Sequence, residues 1–400
     1  MPSHTGAATA DVVVIGLGAV GSATLHRLAL RGARAIGIDR FDPPHDRGST
    51  HGETRITRVA IAEGAAYVPL VRRAHEIWRE LEAETGETLL MQVGGLVIGE
   101  GDGAHSHGQA GFLGRTVAIA RQHAIAHELL DAAEIRRRYP QFLVRDAERG
   151  YFEPSAGVVF PERAVALQLR LARALGAAVR TQERVLAIEP CAGGVAVVTD
   201  KGRIEAGRAI LAAGPWLPGL AGGALGGAGA QGGRAGVHRQ TLHWFEADEP
   251  ALYAPARCPV FIWMHGTGEE DYLYGFPLLP GSPGVKAASE RYGASGIDPD
   301  LVDRTVSAAE SREIHRRHIA GRLRGLGGRV TQAATCLYTV TPDAGFVIDR
   351  LWADGTVIAA SACSGHGFKH SPAVGERLAR LATEPGHLPD AAFGLARFAG

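Results

Sequence analysis

The sequence predicts an α/β protein of two domains, one of them assembled from several separated stretches of chain. Three stretches predict it. ADVVVIGLGAVGSATLHRLALRGARAIGID (10–39) alternates apolar strand, glycine-rich turn, amphipathic helix and apolar strand. GRIEAGRAILAAGPWLPGL (202–220) is an apolar strand that ends in a small-residue turn. TVIAASACSGHGFKHSPAVGERLARLA (356–382) is a strand, a glycine-rich loop and a helix. The first stretch is a Rossmann-like unit, and the other two read as returns of the chain to the same domain.

In the first stretch a buried strand (Val12 to Ile15) runs into Gly16-Leu17-Gly18-Ala19-Val20-Gly21, and a helix follows that stops at Gly32. A second strand from Ala35 ends in Asp39. This is the dinucleotide fingerprint in its proper context. Gly16 permits the tight turn, Gly18 lets backbone approach a pyrophosphate, and Gly21 lets helix pack on strand. The helix N-terminus offers free N–H groups to phosphate, and Asp39 can accept from ribose hydroxyls. The motif alone does not separate FAD from NAD.

Further along, PLVRRAHEIWRELEAETG places Val71, Ala74, Ile77, Trp78 and Leu81 on one helical face and closes at Gly86. GGLVIGE reads as a strand, and 101–114 reads as a surface loop. His105 and His107 in that loop have the look of a metal pair, but no cysteine or carboxylate cluster accompanies them, so no metal is expected. The Gly/Ala-rich run 221–236 reads as an excursion between domains. AATCLYTVTPDAGFVID (333–349) reads as strand, turn and strand. In the last stretch Ser371 is the expected N-cap, Pro372 suits the first turn, and Val374, Leu378 and Leu381 form the buried face.

Whole-chain totals narrow the function. At 400 residues, two domains are expected, and 46% hydrophobic with 21% charged residues suits a folded soluble chain. Forty-two basic and forty-two acidic side chains balance, which removes the charge argument for nucleic acid or an anionic membrane as partner. Four scattered cysteines, 191, 258, 336 and 363, indicate a reducing compartment, and MPSHTGAATA has no secretory pattern. A cytoplasmic protein is expected. His366 beside Cys363 suggests Cys/His nucleophilic catalysis, but the intervening Ser364-Gly365 and the missing third member favour a glycine-rich ligand loop.

Five strings in fixed order carry a resemblance: FDPPHDRGSTHGETRITR (41–58), FEPSAGVVFPE (152–162), YLYGFP (272–277), CLYT (336–339) and SGHGFKHS (364–371). With the fingerprint they resemble the monomeric sarcosine oxidase and N-methyltryptophan oxidase family, within the D-amino-acid-oxidase-like flavoproteins, over nearly the whole chain. The resemblance implies FAD held covalently, with Cys336 matching the cysteine that bonds the 8α-methyl of the flavin. It implies a flavin domain made of 1–92, 152–220 and 331–400, and an α+β substrate domain of 93–151 and 221–330 with a large mixed or antiparallel sheet.

Residue by residue, His51 and Arg55 match groups lying against the flavin, as does the loop carrying Gly365 and Gly367. Arg58 and Lys369 match the pair that binds the substrate carboxylate. Tyr274 and Tyr338 match aromatics lining the substrate cavity, and Lys286 matches the lysine near flavin N5 that serves the reaction with dioxygen. Glu290 departs: the family carries histidine four residues after that lysine. The function implied is oxidation of a secondary or N-methyl amino acid to an imine, with O2 reduced to H2O2, by a monomer whose partners are a small amine or amino acid and O2. Alternatives are an oxidase of a cyclic imino acid or larger biosynthetic amine, an FAD-dependent dehydrogenase with another electron acceptor, and a non-catalytic flavin-binding protein.

Overall fold

The computed structural model describes residues 10–101, 105–106, 109–222, 225, 235–291 and 296–398. His107, the side chain of His105 and most of 221–236 therefore lie outside the described residues. Ala10–Ile15 is an inner strand of an eight-stranded sheet. Ala35–Ile38 and then Ala178–Arg180 lie parallel to it on one side, and Gly202–Leu211 lies parallel on the other. The far edge of Gly202–Leu211 is shared. Its first half pairs with the antiparallel ribbon Val185–Cys191/Gly194–Thr199, and Ala209 to Leu211 pair in parallel with Val357–Ser361. Three distant segments thus bring their strand ends to one place, which is where α/β sheets bind ligands.

The helices follow from local chemistry. Ala19–Leu30 starts at the glycine turn, and Tyr67–Thr85 ends at Gly86 in a left-handed conformation, as a C-terminal glycine should. The buried face of the latter includes Val71, Ala74, Ile77, Trp78 and Leu81, as its periodicity predicts. The C-terminal helix, Ser371–Thr383, differs at its start. A 3₁₀ turn, Phe368–His370, feeds it directly, so His370 takes the N-cap position and Ser371 lies inside the helix, its hydroxyl buried without a partner among the described residues. Chain already helical before Ser371 leaves no extended cap residue for a serine hydroxyl to work from.

A second eight-stranded sheet runs in the order Leu326–Val340, Gly236–Ala247, Val285–Ala288, Tyr272–Gly275, Val260–Met264, Gly95–Gly99, Arg149–Glu153, Glu128–Leu130. Only Val260–Met264 and Gly95–Gly99 pair in parallel, so the sheet is mixed. Residues 331–340, grouped with the first domain on sequence, are here the second half of one long strand bonded to Gly236–Ala247 from Leu326 to Val340. The strand and the one after it, Val347–Arg350, belong to different sheets and are not a hairpin. A small sheet of Arg55–Thr57, Gly157–Val159 and Leu90–Gln92 carries the chain into Arg58. Among the described residues no helix is long and apolar enough to cross a membrane.

Candidate active site

A cavity of about 490 Å³ runs from Gly16, Gly18 and Asp39 to Arg55, Arg58, Tyr274, Glu290, Tyr338, Gly365, Gly367 and Lys369. At its first end Asp39 is held by backbone: Leu17 N–H donates to Oδ2 at 2.7 Å and Phe41 N–H to Oδ1 at 2.8 Å. Gly21 does not line the cavity. It lets the helix pass over the turn, because a Cβ there would fall 1.7 Å from the Gly16 carbonyl oxygen.

In the middle, the Arg55 guanidinium donates to Thr54 O at 2.8 Å and Ser49 O at 2.7 Å, with Nη2 3.7 Å from Cys336 Sγ. Cys336 is completely buried and stands behind the cavity wall, its Sγ 3.6 Å from the carbonyl of Ser49, which does line the cavity. Burial pushes its thiol up, and Arg55 opposes that. His51 is also buried behind the wall. Its Nε2 finds no hydrogen-bond partner among the described residues, and burial followed by Arg55 brings its pKa down to about 4, so the imidazole is neutral.

Lys286 stands behind the wall too. Its ammonium donates to Gly52 O at 2.6 Å, Thr54 O at 2.9 Å and Thr54 Oγ1 at 3.2 Å, and lies 4.8 Å from the Phe276 ring, which faces the cavity. The sequence brings Cys336, His51 and Lys286 close to the cavity, but none of the three is on its surface.

At the far end the two cations differ. The Arg58 guanidinium is already engaged: it donates to Ala60 O and, at 3.0 and 2.9 Å, to both oxygens of the buried Glu63. Two neighbouring bare cations awaiting an anion are therefore not what the structure holds. A buried arginine requires a partner, and the protein supplies one. Lys369 donates to His366 O at 2.6 Å, and burial pulls its pKa down to about 7 against the influence of Glu63. Tyr338 O–H donates to Glu290 Oε1 at 3.4 Å. Burial and Glu290 hold the Tyr274 phenol above its ordinary range.

Sequence reading missed four acids. Glu63 pairs Arg58. Glu153 accepts from Val59 N–H at 2.6 Å and Ala60 N–H at 3.0 Å, which fixes the backbone just after Arg58. Glu53 and Glu162 lie beside the Lys286 nest, where Glu53 N–H donates to Glu162 Oε1 at 3.0 Å. The family match of Arg58 and Lys286 to site positions implies cations in need of counter-charge, but no local signal marks which acids supply it. Among the described residues no three metal-ligating side chains gather.

A sequence profile of the FAD dependent oxidoreductase family matches residues 11–381. The chain belongs to that family. It is 38% identical over 377 residues to a monomeric sarcosine oxidase of Streptomyces avermitilis, covering 94% of each chain. It is 33% identical to an N-methyl-L-tryptophan oxidase of Salmonella arizonae, covering 94% of this chain and 95% of the relative. The resemblance drawn from the five strings is thus borne out. In fold it is similar to NikD, an unusual amino acid oxidase essential for nikkomycin biosynthesis, at 25% identity, 96% coverage of both chains and a TM-score of 0.81.

The residues present fit FAD. The cavity is long, one end is a glycine turn opening a helix with a backbone-held aspartate, and Gly367 lets the second loop close down, since a Cβ there would meet Ala362 O at 1.8 Å. Gly16, Gly18 and Asp39 would hold the nucleotide half, and Arg55 with the 364–367 loop the ring half.

Proposed function

We propose that the protein is an amine oxidase that takes two electrons from the carbon beside the nitrogen of a secondary or N-methyl amino acid and passes them to dioxygen, giving an imine and hydrogen peroxide. Water then hydrolyses the imine to an aldehyde or oxo acid and an amine. The observation that carries the proposal is Lys369, a buried cation on the cavity surface with its pKa at about 7 and one proton engaged by His366 O. Such a group binds a carboxylate and is recharged by it.

Bound FAD would accept the hydride equivalent and hand the electrons to dioxygen. The chain's own groups do the rest. Lys369 orients the substrate through its carboxylate, which converts binding into alignment. Arg58 contributes a second charge once its contact with Glu63 is shared or exchanged. Tyr274 and Tyr338 wall the cavity against water, and the Tyr338 hydroxyl holds Glu290 in place. Glu290 carries the carboxylate that can hold the proton the amine gives up before oxidation. Arg55 and the start of Ser371–Thr383 place positive potential along the cavity. Lys286 supplies a fixed charge for the oxygen step. Cys336 is the residue that would carry the covalent link, with Arg55 favouring its thiolate. We read the protein as a cytoplasmic monomer, and its four cysteines are free.

Glu290 also favours a second reading, an oxidase of a cyclic or larger amine, because a carboxylate in the cavity suits a bulkier cationic amine. An anaerobic panel of N-methyl and cyclic amino acids, read by loss of flavin absorbance, tests both. Bleaching by the first set or the second chooses between them, and bleaching by neither ends the proposal.

A further inference from the structure

We infer that Glu53 and Glu162 are positioning residues that supply the counter-charge for the Lys286 ammonium beside the cavity. The inference rests on the oxidase reading above, in which Lys286 serves the oxygen step.

The Lys286 ammonium has three protons and three protein acceptors: Gly52 O, Thr54 O and Thr54 Oγ1. Two of these carbonyls converge because of a tight turn. Thr54 N–H donates back to Gly52 O at 2.8 Å, and Glu53 between them sits at φ 70°, left-handed and unfavourable for a residue with a side chain. With its protons engaged, Lys286 has none to give into the cavity. It acts through its charge, so whether it is charged decides what it does.

Several influences work against that charge. Burial is the largest and Arg55 follows, and together they hold the Lys286 pKa well below its ordinary value, so the groups that oppose them decide how much charge survives. His51, neutral, adds nothing. In favour stand Glu162, Cys336 when ionised, Glu53, and the rings of Phe276 at 4.8 Å and Trp244 at 5.5 Å. The two carboxylates are each held in place by donors. Glu53 Oε2 accepts from Trp244 Nε1–H at 2.9 Å and from Ser282 Oγ–H at 3.1 Å. Glu162 accepts the Glu53 N–H and lies in the first turn of Pro161–Ala174, where a helix N-terminus favours negative charge. Glu53 thus does two things: its backbone builds the carbonyl nest, and its side chain, with Glu162, supplies the compensating charge.

The chain has only three lysines, 201, 286 and 369, so each can be followed by NMR of ¹³Cε-labelled lysine in the holoprotein and assigned with Lys286→Met. The midpoint of Lys286 is expected to fall by about one pH unit or more in Glu53→Gln and in Glu162→Gln, with that of Lys201 unmoved. Glu53→Gly keeps the left-handed turn without strain and removes the carboxylate, so it should show the same fall if Glu53→Gln folds poorly. In stopped flow, the pH profile for reoxidation by air should move down by the same amount while anaerobic reduction by substrate is unchanged. A Lys286 midpoint unmoved in all three variants overturns the inference. A lowered midpoint together with normal reoxidation in Lys286→Met supports the charge assignment and removes the oxygen role on which the oxidase reading draws.

Discussion

Glu63→Gln puts the structure's account of carboxylate binding under direct strain. In the wild type both Glu63 oxygens accept from Arg58 Nη2, at 3.0 and 2.9 Å, and the two side chains are only 4% and 2% exposed. Removing one partner of such a pair leaves a buried charge uncompensated, which costs about 3–5 kcal/mol. Unfolding entropy of about 2.1 cal/mol/K per residue makes roughly 0.8 kcal/mol/K for this chain, so Tm should fall by roughly 4–6 °C. The same change frees Arg58 for a ligand. Charge-assisted hydrogen bonds contribute about 1.5–3 kcal/mol, so a simple carboxylate such as acetate or propionate should bind roughly 10- to 150-fold more tightly. Ligand should then restore part of the lost Tm, and by more than it raises the wild type. Flavin absorbance titrations and thermal scans with and without acetate measure both. A variant as stable as the wild type that binds acetate no better would refute the reasoning, because Arg58 would then not depend on Glu63.

Other outcomes follow from single groups. Lys369 titrates at about 7, so carboxylate affinity should be level below that pH and weaken up to tenfold per unit above it, and Lys369→Met should abolish the pH dependence along with most of the binding. His265 Nε2 and His318 Nδ1 are 2.9 Å apart and buried, and burial first, then neighbouring charges, bring them down to about 4 and about 3. The unfolded chain takes up those protons first, near pH 6.5, so the stability they contribute is full above that pH and is lost as pH falls toward 4. In urea unfolding between pH 7.5 and 4, His265→Leu/His318→Leu should lose less stability than wild type, by on the order of 6 kcal/mol, about half from each histidine. Cys336→Ala should yield protein whose yellow colour is lost on acid precipitation, whereas wild type keeps it. Colour retained in the variant would move the attachment elsewhere.

The parts of the fold legible in the sequence were those set by local rules. The turn from Gly16 to Gly21 and the stop at Gly86 follow from backbone freedom, and the Tyr67–Thr85 face follows from helical spacing. Charge compensation was not legible. Glu63 sits in an apolar, glycine-containing run with no periodic signal, and Glu162 meets Glu53 across 109 residues of chain. Nothing local says that these acids answer buried cations. Cys336 and Tyr338 were found by resemblance, yet their strand was cut short on sequence because Gly327 and Gly328 mask its beginning. The 3₁₀ turn before Ser371 likewise has no marker in GHGFKHSP. Burial decided all of these, and burial is set by the whole fold.

The central claim is that an acidic secondary amine is oxidised in this cavity and that oxygen collects the electrons. The most direct measurement compares, in air, peroxide formed and substrate consumed for an N-methyl amino acid and for the same amine lacking its carboxylate. The account predicts one peroxide per amino acid oxidised and little turnover of the decarboxylated amine. Equal turnover of both, or oxidation without peroxide, would contradict it.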